Sequence, residues 1–242
     1  MKTLLFSVYS RFVILLFLCS INPSLVAAEY GEPTLVTHQG FYHKQGPNKA
    51  KGVIIWSPGT NSEEVTHPKA KGGGMPYFLD WIYGNGWDVY YIERTGGLKF
   101  TDRPRHAEAI RNAVAGLSGA GYKKVVLGGQ SSGGIYSMIA ANEPLSLHGL
   151  ILTASGPNLG SFTFEQALSE AQADRYIVIH LANDKVIGQR SQETVQSILD
   201  YKTKPNLNIF EPSGIEGHDG AYTSSFSKQF ADQMLMFLEA DY

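Results

Sequence analysis

Val125-Val126-Leu127-Gly128-Gly129-Gln130-Ser131-Ser132-Gly133-Gly134-Ile135-Tyr136 is the stretch from which the rest of the chain can be read. An apolar, β-branched run enters a pair of glycines, and a second pair opens residues 133–142, which read as helix. Ser131 therefore sits in a G-x-S-x-G pattern at a strand-to-helix turn, where a nucleophilic serine is held on a strained backbone. Glycines two before and two after remove side chains that would collide in so sharp a turn. The helix start that follows aims backbone N–H groups at developing negative charge. Ser132 cannot take the same part, because Gln130 occupies the glycine position its pattern requires. The competing reading is a glycine-rich turn that only packs or cradles phosphate, but a phosphate loop needs a lysine that is missing here.

Working outward in both directions, short apolar runs alternate with helix-spaced segments. Strand patterns fall at 53–56, 89–92, 125–127, 150–152, 177–181 and 207–210. Helical patterns fall at 76–83, 105–117, 133–142, 164–173 and 189–201, and Phe226, Phe230, Met234 and Phe237 mark one face of a closing helix. Residues 34–42 suggest an edge hairpin. Continuous apolar strands between helices predict a buried, mostly parallel, twisted sheet with helices on both faces, in a single α/β domain spanning 29–242. In such sheets binding groups collect beyond the carboxyl ends of strands. The chemistry is therefore expected after Trp56, Ile92, Leu127, Leu152, Leu181 and Phe210.

A serine hydroxyl needs a base. Of seven histidines, His38, His43, His148 and His180 fall at edges or within strands, and His67 and His106 lie in or beside loops of the active face. His218 follows the last strand and a glycine-bearing loop, Gly214-Ile215-Glu216-Gly217-His218-Asp219-Gly220, and is the expected general base. The group that orients it should be a carboxylate beyond a neighbouring strand. Asp184, just past Leu181, meets that requirement, whereas residues 153–160 contain no carboxylate. Asp219 reads as a turn or helix cap. Two donors should hold the oxyanion: the N–H of Ser132 and, in Ser57-Pro58-Gly59-Thr60-Asn61, the N–H of Thr60, with the Asn61 amide as a possible helper. Pro58 has no N–H, and Gly59 permits close backbone approach.

The chain has 242 residues, 43% of them apolar and 12% aromatic, enough for a folded core and too apolar for disorder. A formal charge of −2 argues against nucleic acid or anionic lipid as partner. The lone Cys19 excludes an internal disulfide framework and a cysteine zinc site. Residues 1–28 read as a secretory signal: Lys2 and Arg11 carry charge, residues 12–19 are apolar, and Val26-Ala27-Ala28 offers a cleavage site. A transmembrane anchor would need about 20 apolar residues, and Arg11 and Pro23 break that length. A lipid-modified Cys19 would want a small residue before it, where Leu18 stands. Cleavage would remove two cations and no acid, leaving 18 basic against 22 acidic residues, a charge of −4, and no cysteine. A periplasmic or secreted protein without stable membrane insertion is expected.

With Ser131, Asp184 and His218 in that chain order, each at a strand end, the sequence resembles the α/β-hydrolase superfamily. The resemblance runs from the Trp56 strand to the closing helix and is nearest to the compact dienelactone-hydrolase and secreted esterase branches. It implies a sheet of about eight strands and a serine-hydrolase triad. Many relatives carry His-Gly where this chain has Pro58-Gly59, so the second oxyanion donor is not carried over with the triad.

The expected reaction is acyl transfer from a small-molecule ester through Ser131, with no metal and no organic cofactor. Residues 153–176 leave room for about one helix, so a minimal lid and an open cleft suited to short-acyl or soluble esters are expected. Residues 62–75, with three consecutive glycines, and residues 94–105, with Arg94, Lys99, Arg103 and Arg105, are rim candidates. For Tyr77, Trp81, Phe100, Phe162 and Tyr222, core packing is the default over ligand contact. A serine peptidase or amidase with the same triad, or a catalytically silent binding module, remains the alternative.

Overall fold

The computed structural model describes residues 30–31, 40–59, 75–92, 103–155, 158–159, 162–185, 206–210 and 212–240. The expected signal segment 1–28 and the helical pattern at 189–201 lie outside them. The strands are β1 (Tyr30–Gly31), β2 (Gly40–His43), β3 (Val53–Ser57), β4 (Asp88–Ile92), β5 (Val125–Gln130), β6 (Gly149–Thr153), β7 (Asn158–Leu159), β8 (Phe162–Thr163), β9 (Tyr176–Ile179) and β10 (Leu207–Phe210). The helices are α1 (Tyr77–Gly84), α2 (Arg103–Gly119), α3 (Ser132–Ala141), α4 (Phe164–Glu170) and α5 (Ser224–Glu239).

Eight strands form one sheet in the order β1-β2-β4-β3-β5-β6-β9-β10. Six are parallel; β1 and β2 form an antiparallel pair at one edge, with β2 against β4, and of the hairpin expected over 34–42 only 40–42 fall among the described residues. The chain leaves β3 toward β4 on one side and returns to β5 on the other, so β3 and β5 flank the point where the strand order reverses, the place at which such sheets bind ligands. That crossover positions the site described below.

Strand alternation explains why the central runs are apolar throughout. Val53 and Ile55 face a cluster shared with Ile110 and Val114 of α2, Ile135 and Met138 of α3, and Leu168 of α4. Ile54 and Trp56 face the opposite cluster, with Phe78 and Ile82 of α1 and Phe226, Met234 and Leu238 of α5. Every residue of β3, β4, β5 and β6 is buried, so a two-residue polar alternation never appears. The helix α5 starts at Thr223, whose hydroxyl accepts from the Phe226 N–H at 3.2 Å. At its other end, Arg175 donates to the carbonyls of Phe237 and Ala240, and the His148 ring meets the Leu238 carbonyl at 2.6 Å.

Between β6 and β9 the described residues hold only the β7–β8 ribbon and α4, and α4 packs into the core through Ala167 and Leu168. Among the described residues of this segment there is one helix, in keeping with the expected room for about one. Tyr77 and Trp81 depart from expectation. One turn apart on α1, they are 55% and 46% exposed rather than in the core, because Phe78, Leu79 and Ile82 form the buried stripe.

Asp80, in the first turn of α1, is half-buried, and burial pushes its carboxyl up from 3.8 to about 6. The folded chain holds that proton more tightly than the unfolded one. The stabilisation is thus complete below the unfolded value and is lost as pH rises through about 6. Asp80→Asn should raise the melting temperature at about pH 8 and leave it unchanged at about pH 4; allowing for partial exposure, the gain is at most about 1.5 kcal/mol.

Candidate active site

β5 ends at Gln130, and Ser131 follows with φ 53° and ψ −124°, a backbone conformation that non-glycine residues rarely adopt. Its N–H donates to the Thr153 carbonyl at 2.9 Å, so the strained turn is anchored to the end of β6. The flanking glycines have steric reasons. A Cβ on Gly129 would lie 2.5 Å from the Gly133 backbone, and one on Gly133 would lie 2.1 Å from the Ser57 carbonyl. The turn is closed against both its own helix and the loop after β3. Ser132, the expected first oxyanion donor, begins α3 directly after the turn and is buried.

The loop after β3 passes over Ser131. A Cβ on Gly59 would stand 3.1 Å from the Ser131 Cβ and 2.9 Å from Gln130 Oε1, so glycine lets the loop approach without displacing either side chain. Thr60 and Asn61, the expected second donor and its helper, lie outside the described residues, as do rim residues 62–74 and 93–102.

The other two side chains meet by a different route. Beyond β9, Ala182 bridges to Glu216 and its carbonyl accepts the Gly217 N–H at 2.8 Å, which joins the loop carrying Asp184 to the loop carrying His218. Asn183 at φ 54° and Gly217 at φ 81° supply the tight bends. His218 Nδ1 then lies 2.9 Å from Asp184 Oδ2 and 3.2 Å from Oδ1. The carboxylate side chain is only 4% exposed and the imidazole 14%. A carboxylate on Nδ1 fixes the tautomer with that nitrogen protonated, leaving Nε2 to receive and release a proton.

One further residue ties the base to the serine turn. Gln130 Nε2 donates to the His218 carbonyl at 3.1 Å and to Asp219 Oδ1 at 2.7 Å. Asp219 lies in a turn, one of the two places expected for it, and the structure adds a contact for its side chain. It stands before the 3-10 turn Gly220–Tyr222, but its side chain makes no capping bond and accepts from Gln130 instead. Reading along the chain uses Gln130 only to exclude Ser132; its position immediately before the serine, with Asp219 immediately after the histidine, is the signal that could have found the pair.

The other histidines have separate surroundings. His106 is buried and stacked on Tyr136 with ring centroids 4.4 Å apart. His148 stands at the opposite end of the sheet, and burial lowers its pKa. His43 and His180 are buried, and His38 and His67 lie outside the described residues. Tyr222 is partly buried beside Trp56, whose indole N–H donates to its hydroxyl at 3.1 Å. Among the described residues no group of three or more His, Cys, Asp or Glu side chains is arranged to hold a metal ion, and no helix is long and apolar enough to cross a membrane.

No protein-family model matches the chain. No curated protein matches it either. Solved structures do. An esterase of Pyrococcus furiosus superposes with a TM-score of 0.68 at 12% identity, covering 90% of this chain and 93% of its own. An esterase of the Planctomycetes species Thermogutta terrifontis superposes with a TM-score of 0.57 at 15% identity, covering 90% and 94%. Dipeptidyl peptidase 4 of Porphyromonas gingivalis superposes with a TM-score of 0.60 at 10% identity, over 87% of this chain but 35% of the peptidase. The chain thus has the α/β-hydrolase fold, and identities this low establish the fold alone.

Proposed function

We propose that this chain is an exported serine hydrolase that cleaves carboxylic esters of small, soluble or short-acyl substrates. The observation that carries the reading is the Asp184 carboxylate on His218 Nδ1 at 2.9 Å, reached from a loop tied to the residue before Ser131. In the proposed reaction His218 Nε2 takes the Ser131 proton as Oγ attacks the ester carbonyl. The Ser132 and Thr60 N–H groups hold the oxyanion, each worth about 3 kcal/mol in the transition state. His218 then gives its proton to the leaving alcohol. Water, deprotonated by the same nitrogen, splits the acyl-enzyme and restores Ser131. The step requires no metal or cofactor.

Two features support the ester and chain-length part of the reading: the short β7–β8 ribbon in place of a large cap, and fold likeness to two proteins described as esterases. Export rests on residues 1–28, with their two cations, apolar run and small-residue end. Likeness to a dipeptidyl peptidase keeps amide cleavage as the second reading. A fluorophosphonate probe should label Ser131, and p-nitrophenyl acetate and butyrate should be cleaved with higher kcat/KM than the octanoate. Absence of labelling would mean that the chain is a binding module. Cleavage of peptide anilides with no ester turnover would replace esterase by peptidase.

A further inference from the structure

We infer that Gln130 is a positioning residue that sets the His218 loop against the Ser131 turn, with Asp219 as its counterpart. The inference rests on the serine-hydrolase reading above. Alternation along β5 places Gln130 on the same face as Val126, the face that packs against Ile215, Ala221 and α5. It is the polar end of an otherwise apolar row, and only 6% exposed.

The side chain is fully specified by its contacts. An amide nitrogen has two N–H bonds, and both find acceptors, the His218 carbonyl at 3.1 Å and Asp219 Oδ1 at 2.7 Å. The reversed amide orientation would set an oxygen against two oxygens, so the assignment follows from the partners. The amide oxygen is then directed at Gly59, whose lack of a Cβ makes room for it. One side chain thereby joins three of the four segments of the proposed site: it ends β5 just before the Ser131 turn, grips both residues at the base position, and abuts the loop that leads to Thr60.

Asp184 cannot do this alone. Its bond and the Ala182–Glu216 bridge join the His218 loop to the loop after β9, two strands away from β5 in the sheet. They orient the imidazole ring without fixing how far it stands from Ser131. Gln130 supplies the missing tie, because the residue it extends from is bonded covalently to the nucleophile.

Reversing the polarity of the pair tests this. Gln130→Glu removes both donors and sets a carboxylate against Asp219; kcat should fall by roughly 100-fold, the cost of a misplacement of about 1 Å, with KM changed by less than about threefold. Asp219→Asn keeps an acceptor oxygen, so kcat should stay within about threefold of the parent chain. In the double variant Gln130→Glu/Asp219→Asn, the asparagine amide donates to the glutamate. That should recover about tenfold of the lost kcat, the non-additivity expected of residues in contact. Fluorophosphonate labelling should follow kcat in all three.

If Gln130→Glu does not fold, Gln130→Met, of similar length and without donors, takes its place, with the expectation of a kcat loss at unchanged KM. Parent-like kcat in either folded Gln130 variant, or no recovery in the double variant, would overturn the inference while leaving the hydrolase reading intact. If the parent chain neither labels nor turns over ester, the hydrolase reading itself fails.

Discussion

Ser131→Ala should abolish ester turnover, lowering kcat by about five to six orders of magnitude, while the chain folds as before. The loss is large because, in the proposed reaction, the hydroxyl forms the covalent intermediate, and Ser132 is already the first residue of α3 rather than the residue at the turn. A second substitution separates chemistry from strain. Alanine keeps a Cβ at φ 53°, whereas glycine adopts that conformation without cost. Ser131→Gly should therefore be as inactive as Ser131→Ala but melt higher, by about 1 kcal/mol of added stability. Equal melting temperatures would mean that the turn stores no strain. Residual turnover above a hundredth of the parent rate in either variant would remove Ser131 from the mechanism.

Asp184→Asn should be nearly as severe, with kcat lower by about four orders of magnitude and KM little changed. The asparagine side chain is almost isosteric, but its amide can offer N–H where Asp184 offers only acceptors. His218 would then turn its unprotonated nitrogen toward position 184, leaving a protonated Nε2 unable to accept from Ser131. At 4% side-chain exposure the carboxylate also balances the imidazolium in a site that water barely reaches, and the amide cannot. The expected signature is a rate that partly recovers at strongly alkaline pH, where hydroxide takes the serine proton that Nε2 no longer accepts, measured by kcat over a pH series. A variant within tenfold of the parent at neutral pH would mean that another group orients His218.

These effects divide the site according to how it could be read. The serine turn is local. Its strand, its glycines and its helix are consecutive, and the clash that requires glycine at 129 is with Gly133 and Gly134, whereas the one at 133 is with the distant Ser57 and Pro58. Asp184 and His218 could be nominated from their places after the last two strands of the sheet, because loops beyond the carboxyl ends of parallel strands converge on one edge. Asp219 could not be read this way. Its neighbours along the chain suggest a cap, and only the packing of the His218 loop beneath β5 presents it to Gln130. The exposure of Tyr77 and Trp81 was equally hidden, since both are as apolar as the buried Phe78 and which face of α1 meets α5 depends on the whole layer.

What the chain's order of residues determined by itself was the alternation of buried strands with amphipathic helices and the sharp turn at Ser131, because side-chain periodicity and backbone sterics act over a few residues. What only the tertiary structure decided was which carboxylate meets which histidine and what ties them to the serine. Those contacts span 34 positions between Asp184 and His218 and 89 between Gln130 and Asp219. Hydrogen bonds of that reach exist only once the sheet has brought its strand ends together, and nothing in local propensity encodes them.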